Sequence, residues 1–300
     1  MKISSIICTR NRAKYLRQAI HSLTAQDLPV ADYEIIVVDN DSTDSTRQIV
    51  NELAGTTPNL RYVYEKNPGL SNARNRGIQE AIAPVVTFLD DDALAAPSWL
   101  TAILNTFDTH PQPACVGGPV EPWWEIPRPQ WFPESFIGCH SRYYGARARW
   151  YDYPAEHPIG CNMAFLKERV LEVGGFNAAL ENYNDETELI SRLVAIGGKL
   201  KYEPLATVRH LLGKERLGLR WQMRRHYQEG KSLALAATLK HPLPVARRIP
   251  ELGTNLFSIT KRTARLFVSW TPMRERVQKL AHLSTLIGKT VYLTKSLRER

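Results

Sequence analysis

Three consecutive aspartates, Asp90, Asp91 and Asp92, close the apolar run "PVVTFLDDD". Like charges this close repel one another, so a fold that keeps them together must supply a cation or another compensating partner. In an extended segment side chains alternate, which turns Asp90 and Asp92 one way and Asp91 the other. Two carboxylates on one side of a strand end suit a hard divalent cation, Mg2+ or Mn2+, that keeps open positions for phosphate oxygens. The competing reading is a cap for the helix that "PSWL" begins, since acids favour a helix's first turn. Capping by one aspartate is compatible with metal binding by another.

Four further stretches carry residues with chemical potential. "CTRNR" contains Thr9, Asn11 and Arg12. "VVDND" ends in Asp39 and Asp41, acids that could accept hydrogen bonds from a base or ribose, or cap the helix expected at "STDST". "PGLSNARNRG" sets Gly69 ahead of a helix whose first amides, with Arg74 and Arg76, could face phosphate, or could be an ordinary helix with surface arginines. "YNDETELISRL" places Asp185, Glu186 and Glu188 at a helix start. There they either serve the helix dipole and an i,i+4 pair of Glu188 with Arg192, or one of them is a general base facing a cleft. A lone histidine, His210, closes "ATVRH".

The elements around these residues fix where they meet. "ISSIIC", "YEIIVVD", "NLRYVYE" and "PVVTFLD" read as apolar strands, each of the first three followed by a segment of helical spacing. Strands apolar on both faces and alternating with amphipathic helices predict an α/β fold, a largely parallel sheet covered on both sides. In such sheets ligands lie beyond the carboxyl ends of the strands, where "TRNR", "DND" and "DDD" all fall. Residues 119–158, rich in Pro, Trp and Tyr, read as long loops around the site. Further on, "IGCNMAFLKERVLEVGGF" predicts a strand and a short helix, and "DETELISRLVAIGG" another helix.

The charge is uneven. Residues 1–210 hold 20 Lys/Arg against 25 Asp/Glu, and residues 211–300 hold 19 against 5. That asymmetry predicts a working domain over 1–210 and a basic helical appendage over 211–300. The four cysteines are dispersed with no C-x-x-C pair, which suggests neither a zinc site nor a disulfide scaffold and points to a reducing, cytoplasmic setting. No stretch approaches the roughly 18 apolar residues of a membrane span.

Taken in order, "SIICTRNRAKYLRQAIHSL", "EIIVVDNDSTDST", "NPGLSNARNRGI", "VVTFLDDDALAAPSWL", "GCNMAFLKERVLEVGGF" and "NDETELISRL" resemble the successive motifs of family 2 glycosyltransferases of the GT-A fold, over roughly residues 1–210. The resemblance implies a Rossmann-like, mostly parallel sheet and a nucleotide-sugar donor, UDP-type first among them. By it, Thr9, Asn11 and Arg12 line the nucleotide site, and Asp39 binds the base with Asp41 beside it. Arg74 belongs to the same nucleotide side. Asp90 lies near the sugar nucleotide, Asp91 serves the loop, Asp92 is the main metal ligand, and His210 completes the metal sphere. Asn162 belongs near the donor sugar or acceptor. Apart from the resemblance, the aromatic loop from Trp123 and Trp124 to Tyr153 could stack on a sugar or equally be a packed lid. The family's catalytic acid usually follows a glutamate as Glu-Asp, whereas this chain has Asp185-Glu186; aligned on "TEL", Glu186 takes the catalytic position and Asp185 the preceding one.

The implied reaction is inverting transfer to a hydroxyl of a glycan or lipid-linked acceptor, in cell-surface polysaccharide or glycolipid synthesis. "LGLRW" carries the Arg-Trp of the processive Q-x-x-R-W motif but Leu in place of its Gln, so one sugar per encounter is expected. The basic region reads as a contact for anionic phospholipid at the inner face of the cell membrane, for the acceptor, or for another subunit. Nucleic acid is not an expected partner. Two other readings remain: a nucleotidyltransferase, against which "CTRNRAKYL" lacks a glycine-rich loop, and an inactive nucleotide-binding scaffold.

Overall fold

The first apolar runs form parallel strands, β1 (Ile3–Thr9), β2 (Tyr33–Asp39), β3 (Leu60–Tyr64) and β4 (Val85–Asp90). Helices α1 (Ala13–Thr24), α2 (Thr46–Ala54) and α3 (Leu70–Glu80) connect them. The computed structural model describes residues 1–110, 113–138, 141–180, 183–240, 254–255, 258–259 and 272–298. After β4 come β5 (Ala93–Ala95), α4 (Trp99–Thr109), β6 (Cys115–Gly117), β7 (Val120–Trp124) and β8 (Arg149–Trp150). Then follow β9 (Met163–Leu166), α5 (Lys167–Glu172), α6 (Asp185–Ala195), β10 (Leu200–Tyr202) and β11 (Val208–Leu212).

Eight strands make one sheet in the order β3-β2-β1-β4-β9-β6-β10-β8, and β5-β11-β7 make a second. The alternation of apolar residues on each strand feeds two cores. Ile3, Ile7, Ile35, Val37, Val85 and Leu89 pack with α1, α2 and α4 on one face. Ile6, Ile36, Val38, Val86 and Phe88 pack with α3 and with Leu189, Ile190 and Leu193 of α6 on the other. Burial on both faces explains why these strands read as unbroken apolar runs.

The strands run parallel as far as β4, and β6 and β10 are parallel again farther along the sheet. β9 runs antiparallel to both β4 and β6, pairing Phe88 with Met163 and Val85 with Leu166. The described residues of 125–160 form no crossover α-helix, and β9 enters the sheet from the edge at which β4 leaves it. The residues just before β9, Cys161 and Asn162, therefore lie at the carboxyl edge beside Asp90.

The chain divides into two compact units, residues 1–123 with 139–211, and residues 124–138 with 212–300. The second unit thus takes in residues 124–138, part of the segment that reads as loops. Phe132, Phe136 and Ile137 from that stretch share an apolar cluster with Leu212, Leu217, Val277 and Ala281. Its long helices, α7 (Leu219–Lys240) and Met273–Arg298, pack backbone to backbone at two glycines. A Cβ on Gly230 would lie 2.0 Å from the Thr285 carbonyl oxygen, and one on Gly288 2.0 Å from that of Tyr227. No helix among the described residues is long and apolar enough to cross a membrane.

α3 lies just as tightly on the sheet, because a Cβ on Gly77 would meet Ile6 Cγ2 at 2.5 Å and Val38 Cγ2 at 3.3 Å. Overpacking of this kind costs about 1–3 kcal/mol. Gly77→Val is expected to lower the unfolding free energy by that amount in urea denaturation, with an unchanged slope.

Candidate functional site

The parallel register sets Thr9 opposite Asp39 and Cys8 opposite Asp90, so the ends of β1, β2 and β4 meet at one edge of the sheet. β11 runs antiparallel to β5 and brings His210 opposite Ala93, next to the aspartate triplet. The helix after the triplet starts only at Trp99, beyond β5, with Ser98 at its N-cap. None of the three aspartates caps it, which removes the competing reading of "DDD".

Three groups compensate the charges instead. Arg12 pairs with Asp91 (Nε to Oδ1 2.8 Å) and donates to Asp92. Thr9 Oγ1 donates to Asp91 Oδ2 at 2.8 Å. His210 Nε2 lies 3.2 Å from Asp92 Oδ1 and 3.7 Å from Asp90 Oδ2. Asp91 and Asp92 are buried, while the side chain of Asp90 is 36% exposed. Burial pushes the Asp91 carboxyl above the usual carboxylate range, with Asp92 adding to the effect and Arg12 and Thr9 opposing it.

One guanidinium among three carboxylates leaves the cluster negative. Two carboxylates around an imidazole form a nitrogen and oxygen donor set that fits a divalent cation. Cys161 borders the same spot: its sulfur, a carboxylate oxygen of Asp90 and a ring nitrogen of His210 all lie within 4.8 Å of one another. Burial pushes the Cys161 thiol well above its ordinary range, so by itself it stays a neutral S–H.

The nucleotide-side residues of the sequence divide into those that build the edge and those that face out from it. Asp39 is buried and accepts from Tyr62 Oη at 2.8 Å and from the Ser42 amide at 3.0 Å. Asp41, in the left-handed region at φ 59°, accepts from Tyr64 Oη at 2.8 Å on the exposed surface. Asn11, also left-handed, accepts from the Thr43 amide at 2.7 Å and takes the loop after β1 to the loop after β2. Two neighbours passed over by sequence reasoning organise this rim. Asn40 accepts from the Gly69 amide and donates to the carbonyls of Glu65 and Asn67. Asp44 accepts from the Ala13 amide and from Thr46, serving two helix starts at once. Both stand inside motifs already singled out, and only their contacts distinguish them.

Arg74 corrects the expectation that it faces phosphate. It is turned inward, 3% exposed, and donates from Nη1 to Asp185 Oδ2 at 2.6 Å. Its guanidinium lies 5.3 Å from the centre of the Phe176 ring and 5.8 Å from that of Phe88. Burial disfavours its charge, yet the carboxylates of Asp185, Asp90 and Glu186 hold it protonated. Asp185, 1% exposed, also lies 3.4 Å from Ser71 Oγ, a donor. Glu186, the next residue, is half-buried. Burial first, and the neighbouring Asp185 second, push its carboxyl up to about 8, while Arg74 acts against them. Glu188 takes the ordinary role, accepting from Arg192 Nε at 2.8 Å one helical turn on.

Asn162, expected near the donor sugar or acceptor, lies at the carboxyl edge with its side chain turned to the protein. Its amide is fully used within the protein: Oδ1 accepts from Trp99 Nε1 at 2.9 Å, and Nδ2 donates to the carbonyls of Pro119 and Ala206. These bonds brace the edge. Trp123 has the Arg209 guanidinium 5.7 Å from its ring centre. Trp124 falls in the second unit, where its ring packs edge-on against Phe132.

Two predictions follow from the acid-rich groups. Removing one member of a buried ion pair costs about 3–5 kcal/mol because the other charge is left alone. Arg74→Met should therefore lose about that much in urea unfolding, and adding Asp185→Leu should restore part of it. Separately, from about pH 4.5 to about 8 the folded chain keeps a proton on Glu186 that the unfolded chain has released. Its contribution to stability accordingly falls as pH rises across that window, and Glu186→Gln should flatten the pH dependence of the unfolding free energy.

Residues 4–174 match the family described as Glycosyl transferase family 2. The glucosyl-dolichyl phosphate glucuronosyltransferase of Haloferax volcanii is 28% identical over 244 residues, 77% of this chain and 76% of its own. The succinoglycan biosynthesis protein ExoM of Rhizobium meliloti is 27% identical over 252 residues, 82% of this chain and 79% of its own. Among solved structures, a mannosyltransferase of Pyrobaculum calidifontis in complex with GDP-Man and Mn2+ superposes with a TM-score of 0.62 at 19% identity, over 97% of this chain and 87% of that one. With more than half of its length matched by the family and its sheet shared with such structures, the chain belongs to glycosyl transferase family 2 and is a glycosyltransferase of the GT-A fold.

Proposed function

We propose that this glycosyltransferase moves one sugar, with inversion, from a nucleoside-diphosphate sugar to a hydroxyl of a glycan or lipid-linked acceptor. The observation that carries the reading is the division of the two acids at the start of α6. Asp185 is committed to Arg74, which leaves Glu186 as the carboxylate that can exchange a proton. A base whose carboxyl is raised toward the working pH holds a proton more strongly than an ordinary glutamate, which suits it to take one from a hydroxyl. Glu186 accepts that proton as the acceptor oxygen bonds to the anomeric carbon and the bond to the diphosphate breaks. A single displacement with no sugar bound to the protein inverts the configuration.

Asp92 and His210, with Asp90 at the more open side, are the residues that would hold a divalent cation. When bound, such an ion supplies positive charge against the diphosphate. Arg12 and Thr9 keep Asp91 and Asp92 in place for it. Asp39, Asp41 and Asn11 form the nucleotide side, and UDP-sugars are the first donors to test. The solved mannosyltransferase was captured with GDP-Man and Mn2+, and the named relatives act in glycolipid and polysaccharide synthesis, which supports a nucleotide-sugar donor and an acceptor of those kinds. The 19 basic residues against 5 acidic beyond residue 210 suit docking at an anionic membrane surface that presents a lipid-linked acceptor.

A panel of sugar nucleotides with Mn2+, read by thermal shift and then by product formation, tests this directly. One donor is expected to stabilise the wild type, and Asp92→Asn to abolish the Mn2+-dependent part of the shift. Glu186→Gln should keep donor binding but lose about 10²–10⁴-fold in kcat, together with the limb of activity that rises with pH. Donor stabilisation untouched by Asp92→Asn, or full activity in Glu186→Gln, would overturn the assignment.

A further inference from the structure

A buried cysteine is ordinarily a small apolar filler. Cys161 is 1% exposed and packs among core residues, yet its sulfur also borders a carboxylate and an imidazole. The reversal of β9 puts it there, since the residues just before that strand arrive at the edge where β4 delivers Asp90. We propose that Asp90, Cys161 and His210 form a site for a thiophilic divalent cation of the Zn2+ type, set against the inner wall of the aspartate cluster.

The geometry is close to what such an ion requires. Zinc takes sulfur at about 2.3 Å and nitrogen or oxygen at about 2.0–2.2 Å, which places neighbouring ligand atoms of a tetrahedron roughly 3.3–3.7 Å apart. His210 Nε2 already lies 3.7 Å from Asp90 Oδ2 and 3.2 Å from Asp92 Oδ1. The sulfur is within 4.8 Å of its two partners, so a movement of about an ångström or less closes the set. Mg2+ and Mn2+ prefer oxygen and gain little from a thiol, whereas Zn2+ and Cd2+ bind thiolate, imidazole and carboxylate together. As the metal–sulfur bond forms, the Cys161 S–H proton is released to solvent, since a coordinating thiol is deprotonated. Because Asp90 and His210 are shared with the cation site proposed for the donor, Zn2+ bound here competes with Mn2+. That competitive consequence rests on the proposed function; the site itself does not.

The test is a titration of the full chain with Cd2+ and Co2+, read by sulfur-to-metal charge-transfer absorption, with Zn2+ as the displacing ion. The wild type is expected to show the band, Cys161→Ala to lose it, and Cys115→Ala, which alters a remote buried thiol, to retain it. Cys161→Ser keeps the volume and isolates the sulfur. Its Zn2+ affinity should fall by more than about 100-fold, since even outer-shell losses cost 10–100-fold, while the thermal shift given by Mn2+ changes little. No band in the wild type, or a band that survives in Cys161→Ala, overturns the proposal. If neither Cys161 variant folds, Asp90→Asn decides through the band: a weakened sulfur-to-Cd2+ charge-transfer band supports the site and an unchanged one overturns it. A Cd2+ band in a protein that no sugar nucleotide stabilises with Mn2+ would leave this site standing and remove the functional reading. Mn2+-dependent donor binding without a band would do the reverse.

Discussion

Three carboxylates at the end of one strand are the constraint to which the rest of this edge answers. Two unit charges 4 Å apart interact with about 4 kcal/mol at an effective dielectric of 20. Left uncompensated, the triplet would therefore oppose folding by an amount comparable to the whole stability of a domain, about 5–15 kcal/mol. Arg12 and Thr9 come from the end of β1 and the loop after it, and His210 comes from β11, more than a hundred residues away in sequence. The polar segments meet because the negative cluster needs them. It stays net negative after they arrive, so its charge suits a cation.

The second acidic pair is handled by separation. Asp185 is taken into the interior against Arg74, with Ser71 nearby and two aromatic rings beside the guanidinium. Glu186 remains at the margin, where desolvation and its neighbour's charge raise its affinity for a proton. Adjacent acids thus acquire different chemistry from environment alone, and the pair that sequence leaves undivided becomes a structural anchor and a titrating group. The same guanidinium responds to Asp90, so the two acid clusters share one electrostatic neighbourhood.

The division into α/β elements was legible because its cause is local. Strands buried on both faces must be apolar throughout, helices covering them must be amphipathic, and ligand-facing polar residues must fall at strand ends; "TRNR", "DND" and "DDD" display all of this in one dimension. The reversal of β9 was not legible, since a short apolar strand carries no mark of its direction. Nor were the glycines that let α7 and the last helix touch, which in sequence are only interruptions in a basic stretch.

The sequence by itself therefore determined the kind of fold and the edge at which chemistry is placed, because periodicity and strand-end composition depend only on neighbours along the chain. Tertiary structure alone decided what individual side chains do there. Arg74 and Asn162 look available in sequence, but each is consumed by partners between 43 and 111 residues away. Cys161 looks inert and is brought beside Asp90 and His210. A side chain's role depends on its desolvation and on which charges stand within a few ångströms of it. Both quantities are set by contacts between distant segments, and no local pattern encodes them.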